Sequence, residues 1–343
     1  MKELKDLSMG EGNTPVISLP RLAKAWGIKN IWAKAEYLNP TGSYKDRIAL
    51  ATMAVAIKDG RRGWLGTSSG NGGAAMSAYG ARAGLPGILC VMASAPVEKL
   101  LSIKPYGALM LTMKSLGPQE MQTLAEIAQQ ENLILTITAY KFNPEGMKGA
   151  ESIGTEIASH NRATHVYIPS GGGGLLVATA NGLAAGSSKA AVICAQPFDC
   201  SPISQCINGE IATPIVDSCT TLISGLQLAS PPDGDVAVER VKSSKGWGVK
   251  VRDEDTWKIQ DLLATQEGVF VEPASALALA ALHQDIVEGK IDSDDQPLIV
   301  LTGSGLKDLG RYRNSVGSHQ RNCEIEEVKS AVQSHLATIG EGK

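Results

Sequence analysis

The sequence predicts an α/β protein built as two doubly wound lobes with mainly parallel sheets. Three observations carry that prediction. Strand-like and helix-like stretches alternate along nearly the whole chain, which is the order of parallel strands joined by right-handed crossovers. Aromatic residues are only 4% while glycines number 37, so the core must be small aliphatics packed close against backbone. At 343 residues the chain exceeds one simple core and suits two packed lobes.

In chain order, "NIWAKAEYL" (30–38) reads as a strand, Pro40-Thr41-Gly42 breaks it, and a helical pattern runs from Tyr44 through Ile57. Ser43 with Asp46 three positions on is read as a capping box with Asp in place of Glu. "RGWLGTS" is a strand, "SGNGG" a loop and "AAMSAYGARAG" a helix. "GILCVMA" then reads as a buried strand and "PVEKLLSIKPYG" as a helix ended by Pro and Gly. "ALMLTM", a helix around Met121 to Glu131, and "LILTITA" continue the alternation. From Gly149 it resumes: a helix to Ser159, the strand "THVYIP", the loop "SGGGG", a helix from Leu175 and the strand "AAVICAQ". After a Pro-containing stretch come "GWGVKV", helices around Asp255 to Gln266 and Pro273 to Glu288, and the strand "PLIVLTG". The pattern divides into a small lobe of residues 37–147, a large lobe of 1–36 with 148–325, and a helical tail of 326–343. In that tail Ile325, Val328, Val332 and Leu336 fall on one helical face, expected to cover the core or a subunit partner.

Charge and composition exclude several classes. The net charge is −3 and no long basic run occurs, so no electrostatic footprint for nucleic acid or an anionic membrane is present. The N-terminal "MKELKDLSMGEGNTP" has charges where a signal peptide needs an apolar core, and a cytoplasmic location is expected. The six cysteines form no CxxC pair and have no histidine at ligand spacing, so no metal is expected and the thiols are read as reduced.

The chemistry concentrates at the glycines. In "IPSGGGGLL", Gly171, Gly172, Gly173 and Gly174 join a strand to a helix start, where bare backbone N–H groups can converge on a phosphate. "TSSGNGGAA" matches G-x-G-x-x-A through Gly70, Gly72 and Ala75, which would suggest a dinucleotide. The acid expected at the end of the following strand is missing, with none before Glu98, and that reading loses ground. In "NPTGSYKDR", Lys45 stands at a helix start, where the positive end of the helix dipole mildly disfavours an ammonium. A lysine amine wanted neutral, a phosphate cradle and a loop rich in Ser and Asn together suit an aldehyde cofactor with a phosphate handle, pyridoxal phosphate.

"NPTGSYKDR", "SSGNGGAAMSAYGARAGL", "PSGGGGLL", "EGVFVEPASALALAAL" and "LTGSGLKD", in this order, resemble the threonine synthase branch of the fold-type II pyridoxal phosphate enzymes, the tryptophan synthase β-like group. The resemblance spans Gly10 to about Asp308. It implies that Lys45 binds the cofactor as a Schiff base and then moves protons at the α and neighbouring carbons of an amino-acid substrate. It further implies that Asn71 bonds the cofactor's 3-oxygen and that Gly171 to Gly174 hold its phosphate. Ser68, Ser69, Gly70 and Gly72 would cradle the substrate α-carboxylate. Thr302 would face the pyridine nitrogen, and a hydroxyl there, unlike a carboxylate, does not stabilise a pyridinium. A lyase acting by elimination or replacement at the β or γ carbon, assembled as a homodimer, is what the resemblance implies.

One segment departs from the pattern. Threonine synthases commonly read N-P-Y-R-x-E-G-Q-K after the small lobe, with an arginine for the phosphate of O-phosphohomoserine. Here "NPEGMKGAE" puts Gly146 at the arginine's place, with Ala150 and Glu151 after it, and leaves Lys148 as the nearby cation. That leaves a threonine synthase with a rearranged phosphate pocket beside a serine or threonine dehydratase or a specialised β-replacement synthase. A non-catalytic ligand-binding module on the same scaffold is the alternative of another class.

Overall fold

In a computed structural model, residues 4–340 are described except 94, 96, 161, 314–319 and 321. Among the described residues the strands are β1 (Val16–Ser18), β2 (Trp32–Lys34), β3 (Gly63–Thr67), β4 (Gly87–Met92), β5 (Leu109–Met113), β6 (Leu133–Leu135), β7 (His165–Pro169), β8 (Ala191–Pro197), β9 (Gly248–Val251) and β10 (Pro297–Val300). They form a six-stranded sheet in the order β1-β2-β10-β7-β8-β9 and a four-stranded sheet in the order β5-β4-β3-β6. Every pairing is parallel except β1 with β2. The α/β class with mainly parallel sheets is therefore as the alternation predicts. Both sheets lie in one compact unit, Met1–Asp308, and Leu309–Lys343 forms a second.

The composition explains the packing. Helix Asn71–Ala83 lies so close to its sheet that a Cβ on Gly73 would fall 2.2 Å from the Ser68 carbonyl, and one on Gly80 2.2 Å from the Trp64 indole nitrogen. Helix Pro273–Val287 buries an unbroken run from Ala274 to Leu282. A helix apolar all round is one enclosed on every side.

The structure differs from the sequence reading at several points: the helix read across "PVEKLLSIKPYG" is a helix at Val97–Leu101 and a separate 3-10 helix at Lys104–Tyr106, and the strand read as "LILTITA" ends at Leu135. The stretch 30–38 is a strand only at Trp32–Lys34 and turns into a short 3-10 helix at Glu36–Leu38. Ser43 does not cap the helix Lys45–Lys58: its hydroxyl is buried with no hydrogen-bond partner among the described residues, while Asp46 turns back to accept from the Thr41 N–H at 2.7 Å and from the Thr41 hydroxyl. The carboxylate serves the preceding turn instead of the helix end. Cys200 and Cys219 are joined as a disulfide, with Cys90, Cys194, Cys206 and Cys323 left as thiols. In the tail, helix Val328–Gly340 forms, and Ile325, Val328, Val332 and Leu336 are all exposed. Residues 341–343 of the expected tail lie outside the described residues. Among the described residues no helix is long and apolar enough to cross a membrane.

Candidate active site

Parallel strands deliver their loops to one edge, and ligands of such sheets bind beyond the carboxyl ends. Ser68 to Gly72 follow β3, Thr138 follows β6, Gly171 to Gly174 follow β7, and Thr302 follows β10. These loops, with Lys45, line one cavity of about 870 Å³. All of the site residues named from the sequence are thereby brought together: Lys45, Ser68, Ser69, Gly70, Asn71, Gly72, the four glycines and Thr302.

Lys45 is the first residue of its helix, and its placement is set by the turn before it. Gly42 adopts a φ of 81°, a region costly for a residue with a Cβ, and its N–H reaches the Asn39 carbonyl at 2.7 Å. Lys307 donates to the Thr41 carbonyl at 2.7 Å. The Tyr44 N–H donates to the Thr302 carbonyl at 3.0 Å, and Ser304 N–H to the Gly42 carbonyl at 2.9 Å. The lysine turn and the Thr302 loop are thus tied backbone to backbone. The Lys45 amine donates to the Thr138 hydroxyl at 2.8 Å and lies 4.5 Å from the Tyr44 ring centre.

Beneath that helix start is a buried set of charges. Arg47 holds Glu36 with two parallel bonds of 2.8 and 2.7 Å and reaches Glu156 at 2.5 and 2.8 Å. Lys34 also holds Glu156, at 2.6 Å. Two cations face two carboxylates, so the group is neutral and its bonds are charge-assisted. Burial pushes the Glu156 carboxyl up, but the bonds and charges of Arg47 and Lys34 outweigh it and hold it down at about 2.

The tetraglycine loop has the features of an anion cradle. The N–H groups of Gly171, Gly172 and Gly173 donate to no acceptor among the described residues, and the helix Gly174–Ala185 starts behind them. Its glycines are required by what lies on their other side. A Cβ on Gly171 would meet the Gly225 carbonyl at 2.6 Å, and one on Gly174 the Met147 side chain at 2.8 Å. Gly173 has a φ of 88°, and its Cβ would lie 2.9 Å from the Asp233 carbonyl. Asp233 closes the arrangement, its carboxylate accepting from the N–H groups of Tyr140 at 2.8 Å and Lys141 at 3.1 Å. Orphan donors at a helix start fit a phosphate. Gly173→Ala should therefore weaken binding of a phosphate-bearing cofactor: about 1–3 kcal/mol of backbone strain corresponds to roughly a five- to hundredfold rise in the dissociation constant, read by titrating cofactor absorbance.

The sequence reading missed three kinds of residue here. Glu272 accepts from Asn71 Nδ2 at 2.7 Å and from the Thr302 hydroxyl at 2.9 Å. Thr138 is the hydroxyl on Lys45. Lys99, Lys141 and Lys307 are further cations on the cavity wall. Conversely, Gly146, Lys148 and Glu151, from the segment that departs from the synthase pattern, are not among the described residues that line the cavity. Gly146 is buried, with a Cβ there falling 2.2 Å from the Thr52 hydroxyl, so no larger side chain fits. Glu151 is held by Tyr140 and Asn181 at 2.8 and 3.0 Å, and Lys148 pairs with Glu145 at the exposed surface.

A lysine amine and a glycine cradle share one cavity at the carboxyl ends of two mainly parallel sheets, an arrangement that fits an aldehyde cofactor with a phosphate handle. The chain belongs to the pyridoxal-phosphate dependent enzyme family, whose sequence pattern matches residues 7–303. It is 33% identical over 307 residues to a threonine synthase of Halalkalibacterium halodurans, covering 88% of this chain and 84% of that one. It is 30% identical to a threonine synthase of Methanocaldococcus jannaschii, covering 89% and 78%. The fold matches a maize serine racemase with a TM-score of 0.77 at 22% identity, covering 90% of this chain and 92% of that one. It also matches a tomato threonine deaminase with a TM-score of 0.77 at 17% identity, covering 93% and 90%.

Proposed function

We propose that the chain catalyses elimination and replacement at the β or γ carbon of an amino acid, with conversion of O-phosphohomoserine to threonine as the first candidate. The observation that carries this reading is that Lys45 lines the same cavity as Gly171 to Gly173, whose N–H groups donate to no acceptor among the described residues. Pyridoxal phosphate, when bound, supplies the electron sink that makes a substrate α-proton acidic. Lys45 would hold the cofactor and move the proton at the substrate α carbon, with Thr138 orienting its amine. Gly171 to Gly174 would take the phosphate, and Asn71 the ring's 3-oxygen. Ser68, Ser69, Gly70 and Gly72 would receive the α-carboxylate, where the Ser68 hydroxyl already accepts from the Gly70 N–H at 3.2 Å.

The lobes of residues 37–147 and of 1–36 with 148–325 would close on the substrate and exclude water. The four strands of the smaller sheet all fall between residues 63 and 135, which supports that division. A cytoplasmic homodimer is part of the same reading, and sedimentation of the purified protein at working concentration checks the dimer.

A substrate phosphate needs cations, and Lys99 is the one best set for it. Its amine reaches the Ser224 hydroxyl and lies 3.4 Å from Asp308 on the cavity wall. Lys99→Ala should raise the KM for O-phosphohomoserine roughly ten- to a hundredfold, the loss of one charge-assisted bond of about 1.5–3 kcal/mol, while leaving kcat within a few fold. The absence of an arginine among the described cavity residues favours a second reading, a serine or threonine dehydratase or a β-replacement synthase. Offering O-phosphohomoserine, serine, threonine and O-activated serines separates them. Phosphate with threonine supports the synthase; keto acid from serine or threonine replaces it with the dehydratase.

A further inference from the structure

We propose that the Cys200–Cys219 bond is a reversible redox site, through which a dithiol loosens the wall behind the glycine cradle. Between the helix end at Ile207 and the helix start at Gly234 the chain forms neither helix nor strand. A structureless stretch of that length inside a compact unit is as a rule functional. Here it is cavity wall: Pro214, Ile215 and residues 224–232 all line the cavity. Its far end also backs the cradle. The Gly225 carbonyl stands 2.6 Å from where a Cβ on Gly171 would lie, Pro232 stands 3.4 Å from the same point on Gly172, and the Asp233 N–H donates to the Gly172 carbonyl at 3.0 Å.

The stretch is held unevenly. Asp253 fixes its middle, accepting from the Thr221 hydroxyl and the Leu222 N–H, each at 2.7 Å. Among the described residues, segment 213–219 sends one hydrogen bond outside itself, from the Val216 N–H to the Ala229 carbonyl at 3.0 Å, and that acceptor belongs to the same wall. The segment's bonded tie to the sheet is the disulfide, because Cys200 lies just past the end of β8, with the Thr220 N–H on the Asp199 carbonyl at 3.3 Å beside it. Cys200 is buried, whereas Cys219 is half-buried between the exposed Ser218 and Thr220, so a reductant meets the bond at Cys219. One thiolate of the dithiol attacks the Cys219 sulfur, the bond to Cys200 breaks, and Cys200 leaves as a thiolate that takes up a proton. The second thiol of the dithiol then displaces Cys219 and closes the reductant's own disulfide, so this chain gains two electrons and two protons and the dithiol loses them. In the cytoplasm of the reading above, where thiols are kept reduced, a disulfide is usually transient or redox-sensing rather than structural.

The test uses the full chain, isolated without reductant and equilibrated with oxidised glutathione. Peptide mapping is expected to find Cys200 linked to Cys219. A phosphine reductant, chosen because a thiol would itself react with an aldehyde and removed before measurement, is then expected to speed amide hydrogen exchange over residues 210–220. It is also expected to raise the dissociation constant for pyridoxal phosphate severalfold, read from violet absorbance. Cys219→Ser should bind the cofactor as weakly as the reduced chain and show no response to the phosphine. Absence of the linked pair overturns the proposal. So does exchange or cofactor binding that reduction leaves unchanged in the unaltered protein, where no substitution can disturb folding. An equal response to the phosphine in Cys219→Ser overturns it too, by placing the cause at another site. The cofactor half rests on the reading above: a chain that never turns violet overturns that reading, while exchange over residues 210–220 still decides whether the bond holds the wall.

Discussion

Lys45→Ala is expected to abolish both violet absorption and turnover while leaving the fold intact. The side chain lies at the cavity wall and its amine bonds to Thr138. Removing it costs about 1 kcal/mol of hydrogen bonding, which is small against the stability of a two-sheet domain. The catalytic loss is of another order. The covalent step and the proton transfers both depend on that nitrogen, so the rate should fall on the order of 10⁴-fold or more. Absorbance of the cofactor-loaded variant, with circular dichroism to confirm folding, reads both halves. A variant that stayed violet and active would remove Lys45 from the reaction.

Arg47→Ala is expected to give the largest effect on stability. Its guanidinium is buried between Glu36, which is fully buried, and Glu156. Truncation leaves the Glu36 carboxylate without its two parallel bonds and removes one of the two cations on Glu156. Breaking a buried pair in this way costs about 3–5 kcal/mol, measurable by urea unfolding. The same cluster gives an acid dependence. The Glu156 carboxyl titrates at about 2 in the folded chain against an ordinary value of 4.5. Its contribution is therefore complete above pH 4.5 and is lost as the pH falls towards 2. In Arg47→Ala that part of the acid sensitivity should shrink. An unfolding midpoint within error of the unaltered protein would show that the cluster does not hold the helix start.

Much of the site was legible because it is local. Each glycine loop lies within a few residues of a strand end, and the parallel fold sends those ends to one edge, so Lys45, Asn71, Gly171 to Gly174 and Thr302 converge without any long-range detail. Glu272 was not legible for the opposite reason. It lay in view within "VEPASA", but its bonds run to Asn71 and Thr302, 201 and 30 positions away. The one available signal was Pro273 at the first helical position, which leaves Glu272 at the cap with its side chain making no cap bond and free to turn inward.

The buried charges were hidden similarly. "AKAEYL" reads as an ordinary strand, and nothing in it tells that Lys34 will pair with Glu156 over 122 positions, or that Glu36 will pair with Arg47. The capping box failed at Ser43 because a short carboxylate can serve either a helix end or the turn before it. Here the turn supplied two donors from Thr41. Gly146 was placed at a missing arginine by motif alignment alone, whereas the packing of Asn143 and Thr52 against it leaves no space for a side chain. The Cys200–Cys219 pair, 19 positions apart, follows from the fold and from no spacing rule.

The most direct test of the whole account is to saturate the protein with pyridoxal phosphate, reduce it with borohydride, digest it and locate the label by mass spectrometry. The reduced cofactor is expected on the Lys45 amine and on no other lysine. Label on Lys99 or Lys307 with Lys45 unmodified, or no label at saturation, would contradict it.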